Sequence, residues 1–96
     1  MNAATKEHLG EVVTLNIDDP DLNLEKAKDA AKAKAKGICK DPMLLSWKNG
    51  KAGTFYPNFE CGSSERPAWI VFAEARGGDL TIDVNDGEFV FIYLKL

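Results

Sequence analysis

Alternation of apolar and polar residues with a period of two dominates the C-terminal third of the chain. In Asp79-Leu-Thr-Ile-Asp-Val-Asn85, Leu80, Ile82 and Val84 fall on one side, and Thr81 and Asp83 on the other. Glu88-Phe-Val-Phe-Ile-Tyr-Leu94 follows after Asp86-Gly87. That pair suits a two-residue hairpin turn, which needs positive φ. The register then sets Val84 opposite Phe89, Ile82 opposite Phe91 and Leu80 opposite Tyr93. Upstream, Ala68-Trp-Ile-Val-Phe-Ala-Glu-Ala-Arg76 reads as a further strand joined through Gly77-Gly78. That turn would place Ala73 opposite Ile82 and Val71 opposite Val84.

The other face of this meander is mixed. Glu74, Thr81, Asp83 and Asn85 suit solvent, whereas Ile70, Phe72, Val90, Ile92 and Leu94 do not. Either other parts of the chain or a second subunit must cover those five, which makes them candidate interface residues.

Earlier in the chain, Glu11 to Ile17 is rich in β-branched residues and predicts a strand. Asp18-Asp19-Pro20-Asp21 breaks it and leads into a helix from about Asn23 to Lys36, with Asn23 as N-cap. Leu24, Ala27, Ala31, Ala35 and Ile38 form a narrow apolar stripe at the helical period, and Gly37 is placed to end the helix in the left-handed conformation. Lys26, Lys28, Lys32, Lys34 and Lys36 occupy the remaining faces, with Lys40 beyond. They form either a basic surface for phosphate or acidic partners or a solvated face favoured by the helix dipole.

Met43 to Trp47 and Lys51 to Tyr56 read as a hairpin about Asn49-Gly50. Its register pairs Trp47 with Ala52 and Leu45 with Thr54. Lys48 then faces Lys51, a like-charge pair that a bound anion would relieve.

The expected fold is α+β: one helix on a mainly antiparallel sheet of five or six strands, in the order β-α-β-β-β-β-β. One domain spans residues 1–96, with 1–8 as a frayed tail. A chain of 96 residues buries about 60–65% of its unfolded surface, enough for one modest core. The net charge of −3 argues against a general nucleic-acid binder. No apolar run approaches the roughly 20 residues of a membrane span, and the polar N-terminus has no signal-peptide core. The expected compartment is the cytosol, where Cys39 and Cys61 are thiols. Two cysteines and one histidine, without a Cys-x-x-Cys pair, imply no metal site, and no motif implies a cofactor.

One stretch carries a dense set of reactive groups: Pro57-Asn-Phe-Glu-Cys-Gly-Ser-Ser-Glu-Arg-Pro67. Long connections in small domains are often functional. Cys61 could act as a nucleophile, its thiolate held by Arg66, with Glu60 nearby. The Cys61–Arg66 arrangement partly resembles the phosphate loop of protein tyrosine phosphatases. The spacing here is one residue shorter, and a strand is expected where that family has a helix. His8 is the single histidine and a remote base. Trp47, Phe55, Tyr56, Phe59 and Trp69 cluster around the loop in sequence, as core or as pocket lining.

The string Ser46-Trp-Lys-Asn-Gly-Lys, then Phe55-Tyr-Pro-Asn-Phe-Glu-Cys-Gly, followed by the Trp69 stretch and the Asp-Gly hairpin, resembles a small family of uncharacterised prokaryotic proteins of this length. The resemblance implies one helix against an antiparallel sheet and transfers no activity. The expected function is a non-enzymatic binding or assembly module, self-associating through Ile70, Phe72, Val90, Ile92 and Leu94. The alternative is a small enzyme or ligand-binding protein that uses the Pro57–Pro67 loop with Cys61, Arg66 and Glu60.

Overall fold

The strands β4 (Leu80–Val84) and β5 (Phe89–Leu94) form the expected hairpin at the heart of the molecule. A computed structural model describes residues 10–56 and 68–96. Leu80 pairs with Tyr93, Ile82 with Phe91 and Val84 with Phe89, the register that alternation and the Asp-Gly turn dictate. Asp86 and Gly87 adopt φ of 57° and 94°, as a type I′ turn needs.

Around this hairpin lies a five-stranded sheet in the order β1-β4-β5-β2-β3. It is completed by β1 (Glu11–Leu15), β2 (Met43–Asn49) and β3 (Thr54–Tyr56). The β4·β5, β5·β2 and β2·β3 pairings are antiparallel, and β1·β4 is parallel. β1 and β2 therefore run in the same direction with β4 and β5 inserted between them, a split β-α-β arrangement. The fold is α+β, and its sheet is mainly antiparallel, as expected.

The helix α1 (Leu24–Ile38) connects β1 to β2 and covers one face. The Asn23 side chain caps it by accepting the Lys26 N–H. Ala27, Ala31 and Ala35 are fully buried against Leu80, Ile82, Val84, Phe89, Phe91 and Tyr93. An alanine stripe lets the helix axis approach the sheet closely. Each methyl contributes only about 0.8 kcal/mol of burial, so the strand side chains supply most of this core. Gly37 does not end the helix: it lies within α1, and Cys39 is the C-cap.

The second helix corrects the expectation of a single one. Ala68–Ala75 is α2, not a strand, so the order is β-α-β-β-α-β-β. Gly77-Gly78 is its stop signal and not a hairpin turn. Gly77 N–H donates to the Glu74 carbonyl and Gly78 N–H to the Ala73 carbonyl, the paired bonds of a Schellman motif. Gly77 has φ +83°, which glycine reaches without strain.

α2 packs on the opposite face, making three layers. Trp69, Ile70 and Ala73 are buried with Leu45, Val90 and Ile92. The cover demanded by the mixed face is thus supplied within the chain. Thr81 and Asp83, expected in solvent, are buried as well. The Asp83 carboxylate accepts the Gly87 N–H at 2.6 Å, which compensates part of its desolvation.

The β2–β3 connection also departs from the expected register. Trp47 pairs with Tyr56, Lys48 with Phe55 and Asn49 with Thr54. Asn49 Oδ1 accepts the N–H groups of Lys51 and Ala52, and the Asn49 carbonyl accepts that of Gly53. This side-chain-assisted turn takes two more residues than an Asn-Gly type I′ turn. Gly50 is needed for space: a Cβ there would lie 2.7 Å from the Gly87 carbonyl oxygen. Among the described residues, no helix is long and apolar enough to cross a membrane.

Candidate functional site

A register shift in β2 prepares a hollow that combines charge with a polar group unmatched among the described residues. The irregularity between Leu44 and Ser46 lets Leu44 face α1, while Leu45 and Ser46 turn towards α2. Leu44 pairs with Tyr93, which pairs on its other side with Leu80. Above this end of the sheet, Lys28 and Lys32 lie one turn apart on a flank of α1. Together with Pro42 they enclose a partly open hollow of about 220 Å³, lined by Lys28, Lys32, Pro42, Leu44 and Tyr93.

Tyr93 is 2% exposed. Its hydroxyl is buried without a hydrogen-bond partner among the described residues. Burial pushes its ionisation up to about 12 from 10.0. It therefore holds its proton at neutral pH and can donate but not abstract. Leaving a hydroxyl buried and unmatched costs about 1–3 kcal/mol. The two lysines add a second local cost, since like charges at i,i+4 repel by a few tenths of a kcal/mol. Neither has an ion-pair partner among the described residues. An anion in the hollow would offset both costs.

The residues singled out in the sequence are distributed differently. Cys61, Arg66 and Glu60, with the rest of Pro57–Pro67, lie outside the described residues, as do residues 1–8. α2 begins two residues after Arg66, where the sequence predicts a strand, and the Cys61–Arg66 spacing stays one residue shorter than that of the phosphatase loop. The aromatics do not share one pocket. Trp47 stacks on Tyr56 at 6.2 Å on the α1 side, whereas Phe55 and Trp69 belong to the α2 core.

Ile70, Val90 and Ile92 are fully buried between α2 and the sheet. Phe72 and Leu94 are half-buried, and the Arg76 guanidinium lies 3.7 Å over the Phe72 ring. Lys48 and Lys51 are not opposed across the turn. Lys51 Nζ donates to the Leu22 carbonyl at 3.2 Å and lies 3.7 Å from Glu88, so a protein carboxylate stands beside it.

Residues 10–93 match the family model described as a domain of unknown function, DUF5619. The chain belongs to that family. A relative from Archaeoglobus fulgidus, named only as an uncharacterized protein, is 38% identical over 80 residues, covering 78% of this chain and 86% of its own. A crystal structure of a protein from Archaeoglobus fulgidus DSM 4304, titled as novel, superposes with a TM-score of 0.77 at 30% identity. That match covers 92% of this chain and 96% of the other. The three-layer fold is thus shared with an experimental structure. DUF5619 carries no assigned activity, as the resemblance read from the sequence implied.

The hollow escaped sequence reasoning because Tyr93 reads there simply as an apolar partner of Leu80. Its signal was present. A tyrosine on the buried face of a strand needs a partner for its hydroxyl, and Lys28 and Lys32 share a helix flank without an acidic neighbour at i,i+4.

Proposed function

We propose that this protein is a small non-enzymatic binding module that takes an anionic ligand in the hollow between α1 and the β2–β5 end of the sheet. The reading is carried by the Tyr93 hydroxyl, buried and unmatched among the described residues, on a side chain that lines one hollow with Lys28 and Lys32. Buried polar groups without partners are rare enough that each needs a reason, and a bound acceptor is one. The lining supports binding over chemistry. Among the described residues it contains no histidine, cysteine or carboxylate, and Tyr93 keeps its proton.

The binding half of the sequence expectation is retained. Self-association through Ile70, Phe72, Val90, Ile92 and Leu94 is not, because Ile70, Val90 and Ile92 are spent on the core. The test is an NMR titration of the full chain with sodium acetate and with inorganic phosphate, against sodium chloride. Saturable shifts at Tyr93 and Lys28, weakened in Lys28→Gln and Lys32→Gln, are expected. Linear shifts indistinguishable from those of chloride would overturn the reading.

A further inference from the structure

We infer that the ligand is a small organic carboxylate with an apolar tail, its carboxylate between the Tyr93 hydroxyl and the Lys28 and Lys32 ammonium groups and its tail against Pro42 and Leu44. This rests on the anion-binding reading above and adds the class of anion.

Two observations separate a carboxylate from a phosphate. The first is the donor set. Phosphate sites commonly use clustered backbone N–H groups at a helix N-terminus or nest. Lys28 and Lys32 stand inside α1, beyond its first turn, where backbone N–H groups are consumed by the helix. The polar groups of the lining residues are one hydroxyl, on Tyr93, and two ammonium groups. A carboxylate can accept the hydroxyl with one oxygen and face the lysines with the other.

The second observation is the rest of the wall. Pro42, Leu44 and the Tyr93 ring are carbon surfaces, which would face a fully hydrated phosphate at a loss. At about 220 Å³ the hollow lies below the roughly 300–1,000 Å³ typical of sites for larger organic ligands. It suits a short-chain acid and not a nucleotide.

The test is isothermal titration of the full chain with acetate, propionate, butyrate and inorganic phosphate at one ionic strength. Affinity is expected to rise roughly threefold to fourfold for each methylene from acetate to butyrate, the increment of a buried CH₂. Leu44→Ala should flatten that series, and Lys28→Gln should weaken every carboxylate. Phosphate binding more tightly than butyrate, with no dependence on chain length, would overturn the carboxylate inference and leave the anion-binding reading standing. No saturable binding by any of the four probes, in protein shown to be folded by its NMR spectrum, would overturn both.

Discussion

Asn85 grips both backbone groups of Ile17. Its Oδ1 accepts the Ile17 N–H at 2.7 Å, and its Nδ2 donates to the Ile17 carbonyl at 3.0 Å. These bonds tie the chain leaving β1 to the β4–β5 turn, 68 residues later. Asn85 also sits at φ +53°, a conformation that asparagine tolerates better than most residues. Asn85→Ala removes both bonds and strains the backbone. The expected loss is about 1–3 kcal/mol, read as a lower urea midpoint at unchanged slope.

Two glycines should respond in opposite directions. Gly37 lies within α1 with open space where a Cβ would go, so Gly37→Ala should stabilise the protein by about 0.5–1 kcal/mol. Gly77 holds the left-handed position of the α2 stop, so Gly77→Ala should destabilise by about 1–2 kcal/mol. Thermal melts of the two variants beside the wild type check both signs.

How far each element was legible follows from whether independent signals agreed. For β4–β5, alternation and turn chemistry pointed to one register, and that register formed. For α1, the Asn23 cap and the alanine stripe agreed on the helix and its buried face. The stretch Ala68–Ala75 is short and almost wholly apolar, so it has no period to separate strand from helix. The decision then fell to Gly77-Gly78, a pair that serves equally as a hairpin turn or a Schellman stop. The parallel pairing of β1 with β4 joins residues far apart in sequence and leaves no local trace. The hollow depends on the irregularity in β2 and on which flank of α1 faces Tyr93, neither of which is written in a motif.

The α2-covered face of the sheet yields a sharp outcome. Ile92 is fully buried between α2 and the sheet. Ile92→Asp would bury an unpaired carboxylate and should cost roughly 3–5 kcal/mol, unfolding much of the population. Circular dichroism with analytical sedimentation distinguishes this from the alternative. A variant that stays folded and merely changes from oligomer to monomer would place Ile92 on an outer surface.

Alkaline titration reads the environment of Tyr93 directly. Burial raises its ionisation to about 12, against 10.0 for a free phenol. Between those values the unfolded chain loses this proton while the folded protein keeps it. Its contribution to stability is therefore complete below pH 10 and is lost as pH rises towards 12. In Tyr56→Phe, which leaves Tyr93 as the single tyrosine, the phenolate absorbance should appear near pH 12.

The measurement closest to the central claim is urea unfolding of Tyr93→Phe beside the wild type, each with and without saturating butyrate or inorganic phosphate. A hydroxyl held for a ligand is a cost when the hollow is empty. The ligand-free variant should therefore be more stable than the wild type by about 1 kcal/mol. The anion should stabilise the wild type through mass action and leave the variant nearly unmoved. A variant less stable than the wild type, with both proteins gaining equally from the anion, would contradict the account.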